Sequence, residues 1–374
     1  MPRSASCHRF FAVIPPGFEE VARNEFLASG IRGCVTEPGG ISFSGAIEDL
    51  YRANLRLRTP TRILVRIGSF RASYLTEIVD HVARYPWEVY LIGSDSVRVR
   101  AASHKSRLYH TGAVAERILG GISRRLGRPV HPASGEDGPL ILVRILGDSC
   151  EVSVDSSGAP LHRRGYRIAV ASAPIRENLA AGILLVLGWT GDAPFLDPLC
   201  GSGTFVIEAA LMASGIAPGL SRSFACETWR NFDPEAWHVV RAEAADLGRP
   251  DSTGGMFGRD QDPEAVDAAR GNAERAGVRA LTDFAVCGLE DLKSPATRPG
   301  LIVANPPYGV RIASSDTHGF CRRFGEILSR RFTGWRCAVL LPAWIPDHAL
   351  GRPVRTLVAF SHGGIRVRLV EFMI

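Results

Sequence analysis

Two short segments of this chain carry residue types and spacings from which chemistry could be built. The first is Asp197-Pro198-Leu199-Cys200-Gly201-Ser202-Gly203-Thr204. Residues 194–197 read as the end of a strand and residues 204–213 as a helix, so the Gly201-Ser202-Gly203 turn falls at a strand's carboxyl end. Glycines at such a point let backbone approach a ligand with no Cβ in the way. A dinucleotide fits poorly: Val206 replaces the third glycine of G-x-G-x-x-G, and the Asp197 carboxylate would repel a pyrophosphate. The same carboxylate suits the ammonium of a zwitterionic amino-acid tail. Asp260, near the tip of the next strand, is placed to accept both hydroxyls of a ribose, while Asp262 before Pro263 has the position of a helix N-cap.

The second segment is Asn305-Pro306-Pro307-Tyr308, which follows the apolar strand 301–304. A base amine is flattened by conjugation and is a poor nucleophile until both of its N–H bonds are gripped. The Asn305 side-chain oxygen and the Pro306 carbonyl can accept those two protons, which redirects the lone pair toward an electrophilic methyl for in-line displacement. Pro306 and Pro307 fix φ and keep the loop from closing on itself, and Tyr308 offers a face on which an extruded base can stack. Together the two segments predict S-adenosyl-L-methionine as methyl donor and an exocyclic amine as acceptor. Such a transfer requires neither a metal nor a covalent nucleophile; Cys200 and Cys321 have no base paired with them and read as packing residues.

The elements that must position these loops follow from periodicity. From residue 176 onward, helices over 176–187, 204–213, 263–276 and 320–332 alternate with apolar strands over 194–197, 256–260, 282–286, 301–304 and 337–341. That alternation predicts a Rossmann-like α/β domain, a parallel sheet covered on both faces with ligands at the strands' carboxyl ends. A hairpin over 356–361 and 366–371 closes it. One connection is abnormally long: 216–255 carries Arg222, Phe224, Trp229, Phe232 and Trp237 with a helix over 234–245, and is expected to form a local satellite core rather than a lid on substrate.

Upstream, a strand at 10–14, a Gly17-Phe18 turn and an amphipathic helix with Phe18, Val21, Ala22, Glu25 and Phe26 at helical spacing lead into a strand at 40–43, a helix at 46–53 and a strand at 61–70. A second block repeats the small α+β pattern: helices at 76–84 and 112–126, strands at 96–101, 140–146 and 149–155. Residues 156–174 lack periodicity and read as a connector. Residues 1–175 hold 23 arginines and lysines against 16 acidic residues, a net of +7, so all of the +6 carried by the 374-residue chain lies in this half. A basic module beside a catalytic domain is what a polyanion-binding enzyme would show, although lysine occurs only at 105 and 293, so the arginine richness also has a base-composition reading. Eight scattered cysteines with no CxxC pair, no apolar run of membrane length and a polar start predict a cytoplasmic chain with reduced thiols.

These segments, with Ile207-Glu208-Ala209-Ala210, Ile216-Ala217-Pro218-Gly219, Leu161-His162-Arg163-Arg164-Gly165-Tyr166-Arg167 and residues 173–181, resemble the THUMP-domain guanine-N2 RNA methyltransferases, most closely the bacterial large-subunit ribosomal RNA branch. The resemblance extends over nearly the whole chain. It implies a ferredoxin-like domain over 1–70, a THUMP RNA-binding domain over 71–155, a connector over 156–175 and a class I methyltransferase domain over 176–374. It also implies cofactor contacts from Asp197, Pro198, Cys200, Gly201, Ser202, Gly203, Thr204, Asp260 and Leu289, with Asn178 near the methionine carboxylate, and an acceptor site at Asn305, Pro306, Pro307 and Tyr308. The expected reaction is methylation of guanine N2 in structured RNA, 23S ribosomal RNA foremost. A transfer RNA substrate, an adenine amine and an RNA-binding assembly factor without turnover are the alternatives. Gly288 stands where many relatives place an acidic residue toward the adenine amine.

Overall fold

The structure, a computed structural model, describes residues 7–135, 138–168, 175–248, 254–307 and 314–374, with backbone alone for 314–316. Two compact units divide the chain, each discontinuous in sequence: Met1–Ile14, Arg23–Leu161 and Arg222–Glu243 form one, and Pro15–Ala22, His162–Ser221 and Ala244–Ile374 the other.

The first half of the chain contributes strands β1 (His8–Val13), β2 (Val35–Glu37), β3 (Gly40–Gly45), β4 (Arg62–Arg71), β5 (Ser96–His104), β6 (His131–Pro132), β7 (Leu140–Leu146) and β8 (Ser149–Asp155). Its helices are α1 (Glu19–Ala28), α2 (Ile47–Arg56), α3 (Leu75–Val82), α4 (Trp87–Tyr90) and α5 (Thr111–Leu126). The strands make one sheet in the order β2-β3-β1-β4-β8-β7-β5-β6. The two α+β blocks read from the sequence therefore share a sheet, joined where β4 pairs antiparallel with β8 from Leu64↔Asp155 to Arg71↔Ser149. The β7–β8 hairpin turns on Gly147 and Asp148, both at positive φ, as a two-residue turn that matches strand twist requires.

The second half contributes α6 (Glu177–Val186), β9 (Phe195–Asp197), α7 (Thr204–Ala213), α8 (Pro234–Ala245), β10 (Met256–Asp260), α9 (Pro263–Arg275), β11 (Thr282–Val286), β12 (Leu301–Ala304), α10 (Ser314–Arg331), β13 (Arg336–Pro342), β14 (Arg355–His362) and β15 (Ile365–Met373). Its sheet runs β11-β10-β9-β12-β13-β15-β14. Strands β9 to β13 are parallel, and β15 enters antiparallel beside β13. Successive strands step from β9 outward to β11, then the chain returns to the other side of β9 as β12. This reversal opens a crevice between the carboxyl ends of β9 and β12. The sheet is apolar on both faces, as a parallel sheet must be: Leu196, Ile302, Cys337 and Val339 are fully buried in one core with Phe324, Leu328 and Phe332 of α10, and the alternate positions Phe195, Val303, Ala338 and Leu340 are fully buried too.

Two expectations need restating. The Gly17 turn is where it was expected, but Phe18, counted among the helical positions, precedes the helix, which begins at Glu19; it packs edge-on against Phe360 at 5.0 Å, and a Cβ on Gly182 would come within 2.8 Å of its ring. The 216–255 connection forms no separate core. Arg222–Glu243 packs inside the first unit, where Phe232 and Trp237 lie 5.6 and 5.3 Å from the Tyr51 ring and Trp229 lies 5.0 Å from Tyr90. The Tyr51 hydroxyl accepts the Asp233 N–H at 2.9 Å, and the Arg222 guanidinium donates to the carbonyls of Ser157, Ala159 and Pro160. Among the described residues, no helix is long and apolar enough to cross a membrane.

Candidate active site

The carboxyl edge of the second sheet surrounds a cavity of about 690 Å³. The β9–α7 loop supplies Asp197, Pro198, Leu199, Cys200, Gly201, Ser202 and Thr204; the segment after β10 supplies Asp260, Gln261 and Asp262; the segment after β11 supplies Cys287 to Asp291. Asn305 and Pro307 come from the β12 loop, Phe320 and Arg323 from α10. Two segments more than a hundred residues apart in the chain thus face one space, because β9 and β12 are neighbours in register, Leu196 beside Ile302.

Asp197 closes β9 with 2 % of its surface exposed, and its Oδ1 accepts the Leu199 N–H at 3.0 Å. Burial, aided by the nearby Asp260 charge, pushes this carboxyl up to about 8. A buried carboxylate with one backbone donor and an open face toward a cavity calls for a cation. Asp260 has a second task that the sequence did not disclose. Its Oδ2 accepts the Gly201 N–H at 2.8 Å and its Oδ1 the Asp262 N–H at 3.0 Å, so the carboxylate that faces the cavity also holds the glycine turn in place. Each oxygen retains a lone pair for a further donor. Asp262 caps α9 by accepting the Glu264 N–H at 3.0 Å, with Pro263 in the first turn, as its spacing predicted.

Gly203 and Thr204 divide the labour of the turn. Gly203 sits at φ +88°, and a Cβ there would meet Ala269 Cβ at 2.9 Å and the Phe284 ring at 3.1 Å. Its lack of a side chain serves close packing on α9 and β11, and it does not line the cavity. Thr204 lines it, as does Ser202, which is 3 % exposed and whose Oγ has no hydrogen-bond partner among the described residues. At the acceptor side the Asn305 Oδ1 is likewise buried without a partner among the described residues. Pro306 does not line the cavity, nor does Asn178, which is buried in the first turn of α6, and Tyr308 lies outside the described residues. Burial pushes the Cys200 thiol well up and Cys321 to about 11, so neither supplies a thiolate near neutrality.

Phe320, Arg323, Gln261 and Glu290 were not anticipated. Arg323 pairs with Glu290 at the cavity, and Asp291 lies on the same turn, its Oδ2 3.8 Å from where a Gly288 Cβ would stand. The acidic groups of this wall are therefore carried two and three residues beyond Gly288. The three-residue spacing of Phe320 and Arg323 puts them on one face of the helix already expected over 320–332 after the 301–304 strand, and is the signal that could have found them.

A parallel sheet with a switch-point cavity, a glycine turn clamped by Asp260 and an Asn-Pro-Pro loop opposite defines a class I methyltransferase domain. The chain belongs to the RMKL-like methyltransferase domain family, which matches residues 164–350, and residues 9–64 match the RlmL ferredoxin-like domain. Among similar proteins, the ribosomal RNA large subunit methyltransferase K/L of Allochromatium vinosum is 36% identical over 99% of this chain and 52% of its own length. The chain thus spans about half of that relative. A candidate RNA methyltransferase of Synechocystis, slr0064, is 30% identical over 99% of this chain and 97% of its own. Of solved structures, the candidate methyltransferase SMU.472 in complex with SAH superposes with a TM-score of 0.86 at 31% identity, covering 98% of both chains.

Proposed function

We propose that this chain transfers a methyl group from S-adenosyl-L-methionine to the exocyclic N2 amine of a guanine in structured RNA, foremost 23S ribosomal RNA. The observation that carries the amine chemistry is the Asn305 Oδ1, buried and without a partner among the described residues, on the same cavity as Asp197 and Asp260. A buried carbonyl oxygen left without a donor costs free energy that an incoming N–H restores, about 1–3 kcal/mol. The bound cofactor supplies an electrophilic sulfonium methyl. Asp197 fits its ammonium and Asp260 its ribose hydroxyls, while Asn305 and the Pro306 carbonyl grip the two amine protons and Tyr308 stacks on the base.

The RNA substrate is supported by the ribosomal relatives and by the basic first half. In the turn between β5 and α5, Lys105, Arg107, Tyr109 and His110 are all exposed, and the Tyr109 and His110 rings lie 4.0 Å apart. Cations for phosphates interleaved with rings for unpaired bases are the groups with which proteins hold RNA.

Mass-spectrometric nucleoside analysis of ribosomal and transfer RNA, from cells lacking the chain and from cells restored with wild type or Asn305→Ala, tests the reading. The expected result is N2-methylguanosine in one large-subunit position, lost on deletion and restored only by wild type. In vitro, Asn305→Ala lowers turnover by about 10²–10³. Loss of N6-methyladenosine instead, of a transfer RNA mark, or of no mark at all would each reject it in favour of a different substrate or a non-enzymatic role.

A further inference from the structure

One connector side chain ties two separate stretches of the cavity wall together. The Arg167 guanidinium, 13 % exposed, donates through one terminal nitrogen to the Ile175 carbonyl at 3.0 Å and to the Thr204 hydroxyl at 2.5 Å. Its Nε lies 3.3 Å from the Glu177 carboxylate, itself 4 % exposed, so the arginine is fixed from a third side. Ile175 and Thr204 both line the cavity.

A hydroxyl has one proton to give and two lone pairs that accept. On Thr204 an arginine N–H already occupies an accepting position, and the proton meets no acceptor among the described residues. The guanidinium therefore turns the O–H away from itself. Two residues earlier, on the same loop, the partnerless Ser202 Oγ is a second buried hydroxyl on the same cavity.

We infer that Arg167 is a positioning residue for the donor's carboxylate: it orients the Thr204 hydroxyl to donate, with Ser202, to the anionic oxygen of the amino-acid tail whose ammonium meets Asp197. The inference rests on S-adenosyl-L-methionine being the cofactor. It assigns the two charges of the zwitterion to different parts of one loop, the cation to the tip of β9 and the anion to the first turn of α7.

Titration calorimetry with S-adenosyl-L-methionine and with its decarboxylated form, which keeps the ammonium and lacks only the carboxylate, reads this directly. Wild type is expected to prefer the carboxylated form. Arg167→Gln and Thr204→Val each weaken that form by about tenfold or more and shift the decarboxylated one by less than about twofold. Arg167→Lys, which keeps a charged donor, recovers part of the loss, and the double variant loses no more than the worse single one. Equal weakening of both ligands in Arg167→Gln and Thr204→Val means a merely structural role and overturns the inference, as does no weakening. Should Arg167→Gln fail to fold, Thr204→Val, which keeps the shape of the side chain, gives the same comparison. Failure of wild type to bind either ligand would reject the cofactor, a result distinct from both.

Discussion

Asp197 is a carboxyl that the empty fold would keep protonated and a cationic ligand would ionise. Burial pushes its pKa in the folded chain up to about 8, well above the ordinary value near 3.9 of an unfolded one. The sign follows: below pH ~4 both states hold the proton and nothing is lost, and as pH rises toward 8 the folded chain without ligand becomes progressively less stable relative to the unfolded. Binding of S-adenosylhomocysteine, whose ammonium favours the charged carboxylate, is expected to release close to one proton at pH 7. Calorimetry in two buffers of different ionisation enthalpy measures that release. Asp197→Asn should abolish it and weaken binding by about 10- to 100-fold, whereas an unchanged proton count would place the ammonium elsewhere. Residue types alone led to the expectation of one site shared by Asp197 and Asn305, and both line the cavity. Residue types could not reveal that Asp260 also holds the Gly201 N–H, or that Gly203 is required by Ala269 and Phe284, because both depend on which strands are neighbours.

Elements with an apolar run or helical rhythm of their own were legible, and elements held only by their partners were not. β7, β8, β10, β11, β12, α7 and α8 lie where the pattern placed them, since apolar runs and helical spacing fix an element from within. β2, α4 and β6 have three, four and two residues and exist only through partners, Val35 opposite Ser42 and Ser96 beside His131. α10 begins six residues before its expected start because its first turn, Ser314 to Thr317, is polar and offers no apolar rhythm. The most instructive case is the long connection after α7. Its aromatics announced burial correctly, but nothing local could say that the surface to bury them was Tyr51 and Tyr90. Trp237→Ala is therefore expected to cost about 3–5 kcal/mol of stability in a denaturant titration, as for a large core side chain, while leaving S-adenosylhomocysteine affinity within about twofold. A loss of affinity matching the loss of stability would instead make this segment part of the cofactor site.

For the whole molecule, the charge asymmetry outlasts the pairing seen in the structure. Arg62 pairs with Asp155, Arg66 with Glu37 and Glu151, Arg125 with Glu88 and Arg128 with Asp95; each pair takes up acidic charge as well as basic, so the excess of +7 over residues 1–175 is left over. If the exposed Lys105 and Arg107 meet phosphates, affinity for a structured RNA should fall on the order of 10- to 100-fold between 50 and 200 mM salt. Exchanging both for glutamate should weaken binding across RNA sequences and flatten that dependence; an unchanged slope would move the contact surface elsewhere.

The exchange of segments between the two units bears on how the chain comes into being. Synthesis delivers residues in order, and by the time Leu161 has emerged the first sheet is complete, yet the ring faces of Tyr51 and Tyr90 still await Trp229 and Trp237. Phe18, made almost first, must wait for Phe360, made almost last. Cutting the chain at the connector would consequently leave both pieces with an unfinished core. The two halves of this chain can only be finished together.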